Sequence, residues 1–380
     1  MALRADALRG LLVLVLLAAL PTAAAAQGKE PAAPLAPESL SLFEKVFGMV
    51  LKDYVDPKSP ETVIRGALQG AAASVGPECV YIPPSDVAAY KAMRPDDPVL
   101  PLYVTKDQDF ARVLAVFPGQ DPSIRPLDAL RFIGDRSTYD MNYAQIQEAM
   151  RGKAGDKVPC VFMKSDSWQS YSVTLVRQAP PQPRWVALPG AGGALVLAAL
   201  DGSPSDALVK SLKGSRGTVV VDLRGCAPAD TQDALRWAGL LLGPGPGPSL
   251  KGPKGSHQER LEGPGYLAGR PLRVLVNGTT ARAGEVLALS LMERGAVLAG
   301  EPTFGWAPLF EEFPLDNGGL LRLTTAYFLD PEGQPMKNRP LQPAIHLAPA
   351  AGQTDLQTYQ EVLKAALPTT QGKAHGAAAS

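Results

Sequence analysis

Residues 270–312 read RPLRVLVNGTTARAGEVLALSLMERGAVLAGEPTFGWAPLFEE, and this stretch decides the fold. Leu272, Val274, Leu275 and Val276 form a short apolar, partly β-branched run that predicts a buried strand, and Asn277-Gly278 ends it. From Ala283 the apolar residues Val286, Leu287, Leu289 and Leu291 predict a buried helix, with Gly295 placed for a left-handed C-terminal cap. Ala296 to Ala299 predicts a second strand. Strand, sharp turn, helix, strand and loop together form an architecture that presents side chains at an active site.

Working outward, SPSDALVKSLKG followed by TVVVDLRG predicts a helix feeding a buried strand that ends on Asp222 and Arg224, read as structural ion partners. Between Gly243 and Gly255 the low-complexity GPGPGPSLKGPKG reads as a surface loop, a passive insertion or else a flap over the elbow. Gly318-Gly319 links two strands. Asp355 to Leu367 predicts a last helix with Thr354 as its N-cap, and the tail from 368 to 380 reads as disordered. Upstream, Phe43, Val46, Phe47, Val50, Leu51 and Tyr54 fall at helical spacing, and Ser59-Pro60-Glu61 opens a second helix. A third begins near Ser85.

Arg4 and Arg9, the apolar run Leu11 to Leu20 and the small residues Thr22 to Ala26 read as a secretory signal over 1–26 followed by a linker over 27–38, so export to a bacterial periplasm is expected. No later stretch has the length of a membrane span. The 37 basic residues balance 37 acidic ones, which removes the electrostatic case for nucleic acid or an acidic membrane surface. Scattered histidines and cysteines show no metal-ligand spacing, Gly190, Gly192 and Gly193 lack a phosphate-binding order, and no cofactor is expected. Cys79, Cys160 and Cys226 permit at most one disulfide.

The motifs VNGTTARAGE, GEPTFG, FPLDNGGLLRLTTAYFLDPEGQP and VVVDLRG, in this chain's order, resemble the C-terminal processing, or tail-specific, serine peptidases. The resemblance implies an α/β crotonase/ClpP-like core over 184–367, an N-terminal helical region over 39–98 and an inserted, circularly permuted PDZ-like domain over 99–178. It also implies a Ser-Ala-Ser-Glu elbow whose first Ser is the nucleophile, a Lys after Thr-Phe-Gly, and a Gln four residues later. This chain departs from all three. Counting back from Glu285, Arg282 stands at the nucleophile position, Trp306 at that of the Lys and Phe310 at that of the Gln. A guanidinium has no nucleophilic oxygen and stays protonated, and an indole is no base. The turn implied to supply an oxyanion-binding N–H reads DLRGCAPA, with Cys226, Pro228 and Ala229, and Pro228 has no N–H to give.

The expectation is therefore a pseudopeptidase that binds unfolded or C-terminal peptide segments or a protein partner, alone or in an oligomer with an active homologue. Ligand-binding candidates are Trp306, Phe310, Arg282 and Thr280. Two alternatives stay open: a rearranged peptidase, serine-type or built on Cys226 with His257 or His346, and a small apolar ligand site, which the resemblance to retinoid-binding relatives implies. The PDZ-like domain lacks glycine across Val99 to Val104, so peptide capture and simple packing are both open roles for it.

Overall fold

The computed structural model describes residues 36–106, 109–188, 192–200, 202–348 and 352–365. The expectations for the signal at 1–26, most of the linker, Gly190 and the tail at 368–380 lie outside these residues.

The N-terminal region comprises α1 (Pro37–Asp53), α2 (Pro60–Ala73), the strand β1 (Val80–Ile82) and α3 (Pro84–Ala92). The first helix begins at Pro37, two residues inside the span expected as linker, because a proline at the first helical turn gives up no hydrogen bond. Ser59 caps α2 by accepting from the Thr62 N–H. The region is not a free arm, since β1 runs antiparallel to a strand of the core and pairs Val80 with Arg322.

The middle region has its own sheet, formed by β2 (Leu102–Thr105), β3 (Ala111–Val116), β4 (Ala129–Ile133), β5 (Arg136–Ser137), β6 (Lys157–Met163) and β7 (Ser170–Val176). One helix, α4 (Tyr143–Met150), packs on it behind a capping box from Asn142 and Gln145. Leu100, Val113, Leu130, Ile146, Met150 and Phe162 belong to a core separate from that of the C-terminal region.

The C-terminal region begins with β8 (Arg184–Val186), β9 (Gly193–Val196), α5 (Asp206–Gly214), β10 (Val219–Asp222) and α6 (Thr231–Leu242). It continues through β11 (Gly245–Gly252), β12 (Gly255–Leu261), β13 (Leu272–Val276), α7 (Ala283–Glu293), β14 (Val297–Gly300), β15 (Pro308–Pro314), β16 (Leu320–Phe328), β17 (Ile345–His346) and α8 (Asp355–Lys364). One sheet runs β17-β14-β13-β10-β9-β8 and is parallel except at β8. Its inner strands β9 and β10 are buried along their whole length, as a sheet covered on both sides requires. A second, antiparallel sheet runs β1-β16-β11-β12 with β15 on β16. Helices α6 and α7 contribute Trp237, Leu241, Leu287 and Leu291 to the core of this region.

Gly243 to Gly255, expected as a surface loop or flap, instead forms β11 and the turn into β12, a hairpin laid against β16. Its glycines serve close approach: a Cβ on Gly252 would come 2.7 Å from the Thr325 carbonyl. Pro246 and Pro248 sit at the ladder's irregularity between Pro246 and Ser249, where strand hydrogen bonding is already interrupted.

Candidate functional site

The parallel strands β10 and β13 end side by side, and the loops leaving them build the site. After β13, Asn277 folds the turn by accepting from the Thr279 N–H (3.1 Å) and hydroxyl (2.6 Å). Thr280, expected as a ligand contact, does something else. It is buried, its hydroxyl donates to the Leu223 carbonyl at 2.9 Å and accepts from the Asn277 N–H at 3.2 Å, and so it ties the elbow to the end of β10.

Arg282 follows with φ +52°, a left-handed value that a non-glycine residue holds only under constraint. Its side chain is 2% exposed. The guanidinium is bound to the Glu78 carboxylate, to the Val104 carbonyl at 2.7 Å and to the Ala227 carbonyl at 3.3 Å, and it lies 5.4 Å over the Trp306 ring. One side chain thus joins the N-terminal region, the end of β2 and the turn after β10. Glu78 also faces Arg322 of β16, whose Nη1 is 3.6 Å from its carboxylate and donates to its carbonyl at 3.1 Å. Arg322 in turn lies 3.7 Å over the Phe310 ring, and Phe310 meets Trp306 edge-on at 6.0 Å. Arg282, Trp306 and Phe310 are therefore brought together, as a packed stack of cations and rings.

The amides around the elbow are engaged inside the protein. The Arg282 N–H donates to the Trp306 carbonyl at 2.9 Å, that of Ala281 to Cys226 at 3.1 Å, and that of Ala283 to the Pro228 carbonyl at 3.3 Å. Gly284 shows how far the Cys226–Pro228 turn has closed onto α7: a Cβ there would lie 2.0 Å from the Cys226 carbonyl oxygen.

Glu285 is fully buried and organises the loop before β15. It accepts from the Thr303 hydroxyl and from the Gly305 and Trp306 N–H groups, each backbone bond at 2.7 Å. Burial pushes its carboxyl up to about 7, while these hydrogen bonds favour the charged form and oppose the rise.

Cys226 is fully buried, and neither histidine approaches it. His257 lies on the exposed β12 hairpin, paired with Glu259 at 3.4 Å. His346 sits on β17, three strands from β10, roughly 14 Å at ordinary strand spacing. Cys79, Cys160 and Cys226 form no disulfide. Asp222 and Arg224 are the structural pair the sequence suggests, bonded at 2.7 Å and joined by the Tyr359 hydroxyl of α8 at 2.8 Å. Glu78 and Arg322 were not legible as site residues. The available signal was a charge at an inward position, because Arg322 shares a strand face with Leu320.

Residues 199–347 match peptidase family S41. A carboxy-terminal-processing protease of Bartonella bacilliformis is 24% identical over 327 residues, 81% of this chain and 75% of that protein. The carboxy-terminal processing protease CtpA of Bacillus subtilis is 21% identical over 322 residues, 80% and 68% of the two chains. A solved photosystem II D1 C-terminal processing protease shares the fold, with a TM-score of 0.62 at 21% identity over 83% of this chain and 94% of its own. Residues 199–347 thus carry a peptidase family S41 match, and the chain is similar to C-terminal processing proteases over 80–81% of its length.

Proposed function

We propose that this chain is a non-catalytic member of its family that binds unfolded or C-terminal peptide segments, or a protein partner, without cleaving them. The observation that carries the reading is the state of Arg282: at the position of a nucleophilic hydroxyl stands a buried cation held by Glu78, Val104 and Ala227. Nucleophilic attack needs an oxygen beside a base, and the neighbouring positions supply indole and phenyl rings instead. The engaged amides of Arg282 and Ala283 support the same conclusion for the oxyanion side.

Within this reading the core is of crotonase/ClpP type and the middle region a PDZ-like module. The sheet with a single capped helix and a separate core supports that assignment. Export to the periplasm follows from the signal-like residues 1–26. No helix among the described residues is long and apolar enough to cross a membrane. Assembly with itself or with an active homologue is the setting in which a silent member would act.

Retention of reduced, unfolded casein on the immobilised protein tests the binding. The expected result is retention without fragments, weakened by Trp306→Ala. Loss of intact casein into the flow-through as fragments would refute it.

A further inference from the structure

A strand at the edge of a sheet offers its outward N–H and C=O groups to any second strand, so folded proteins keep such edges short, charged, covered or broken by proline. The described strands follow that rule with one exception. β1, β5, β8 and β17 hold two or three residues each. β15 carries Glu311 and Glu312 between prolines at both ends, and β12 carries His257, Glu259 and Arg260. β2 is partly occupied, its Val104 carbonyl by Arg282 and the Lys106 carbonyl just beyond it by the Glu78 N–H. The exception is β7, the seven residues SYSVTLV, which have no charge and no proline and pair on one side only, with β6.

The bonding parity of β7 fixes which groups it offers. The Lys164 N–H donates to the Gln169 carbonyl at 2.9 Å and the Arg177 N–H to the Asp156 carbonyl at 3.0 Å, so the odd-numbered residues between them bond β6. Pro159 agrees, since it stands opposite Thr174 and has no N–H to give. Ser170, Ser172, Thr174 and Val176 therefore turn their backbone groups outward, where none is bonded to another element among the described residues. At the head of the strand stands Trp168, 68% exposed and at φ +58°, a left-handed value that a bulky residue holds only under constraint. Buried Asp128 braces that turn: Oδ1 accepts from the Ser165 N–H at 3.0 Å and Oδ2 from the Tyr171 hydroxyl at 2.5 Å, while the Trp168 N–H donates to the Lys164 carbonyl at 3.0 Å. An indole held in solvent by a braced turn, beside an open and uncharged edge, forms an interaction surface.

We propose that β7 pairs antiparallel with β7 of a second copy, across a two-fold axis at Val173. The strand is its own complement. With Val173 opposite itself, Ser172 meets Thr174 of the partner subunit and Ser170 meets Val176 of the partner subunit, so outward-bonding residues face one another as an antiparallel ladder requires. No charge meets a like charge along the seven positions. Trp168 comes within diagonal reach of the exposed Val176 of the partner subunit, and the symmetry makes that contact twice. The strand is only about 24 Å long, which puts the contact at the small end of stable interfaces and predicts a micromolar, concentration-dependent dimer. The proposal gives the assembly named above a surface and rests on that reading for self-association alone. Its test reads mass and geometry, so it can fail while peptide binding and the absence of catalysis stand.

Sedimentation velocity of the full chain from about 1 to 300 μM is the experiment. The expected result is a monomer-to-dimer transition that Thr174→Pro weakens at least about tenfold, because the N–H it removes points away from β6. Thr174→Lys takes its place if the proline variant melts below the parent. Val173→Cys should cross-link to its own copy under mild oxidation, whereas Ser170→Cys should not, since its copy lies about 20 Å away along the ladder. A mass that stays monomeric throughout, a dimer unchanged by the Thr174 variant, or equal cross-linking at the two cysteines would overturn the proposal.

Discussion

Arg282 and Glu78, 204 positions apart in sequence, form a buried ion pair at the point where the N-terminal region, the middle sheet and the peptidase-like core meet. The pair exists because β1 docks on β16 and carries Glu78 to the elbow.

Removing one partner strands the other. Glu78→Ala is expected to lower stability by about 3–5 kcal/mol, the cost of an uncompensated buried charge, measured by urea unfolding. Pairing it with Arg282→Met should recover only part of that loss, because buried Arg322, which shares the Glu78 carboxylate, stays unpaired.

Restoring the lost groups should not restore the enzyme. The triple variant Arg282→Ser, Trp306→Lys, Phe310→Gln leaves the Ala283 N–H bonded to Pro228. One missing oxyanion donor lowers turnover by about a hundred- to a thousandfold. Casein cleavage by the triple variant should therefore stay at least about a hundredfold below that of an active relative assayed beside it.

Gly284→Ala tests the closed turn directly. Its Cβ would meet the Cys226 carbonyl at 2.0 Å, a backbone contact that no rotamer relieves. A loss of about 3 kcal/mol or more is expected, well above the helix-propensity gain of about 1 kcal/mol that the same change brings in an open helix. Gly48→Ala in α1, where nothing lies near the added carbon, should show that gain and serves as the control.

Glu285 makes stability depend on pH in a defined direction. Its folded pKa of about 7 lies above the ordinary 4.5, so the native state holds the proton more tightly. Its contribution is then fully present below pH 4.5 and is lost as pH rises through about 7. In Glu285→Gln that slope should vanish from the stability profile. The variant should also be about 1–3 kcal/mol less stable, because an amide NH2 must face a backbone N–H.

The stretch from β13 to β14 was legible because its apolar residues follow the periods of buried strands and of a buried helix, with Gly295 where the cap occurs, at φ +94°. Three structural facts were not legible. The β11–β12 hairpin is hidden by glycines and prolines chosen for close packing and for a bulge, which read locally as loop. Nothing local in the sequence names the partner of Arg282: Glu285 is occupied by the 303–306 backbone, and only the β1–β16 pairing puts Glu78 in reach. Gly284, where the family motif has Ser, was the local sign that the Cys226 turn had closed, and its meaning needs the 2.0 Å distance.

The central claim is that this site performs no acyl transfer. Incubation of the purified chain with a fluorophosphonate serine probe and, separately, with unfolded casein, beside Arg282→Ala, Cys226→Ala and an active relative, tests it most directly. The account predicts no labelling and no fragments from any form of this chain under conditions that fully label and turn over the relative. Casein fragments lost on a single substitution, above all Cys226→Ala, would contradict it and place a working nucleophile in the turn after β10.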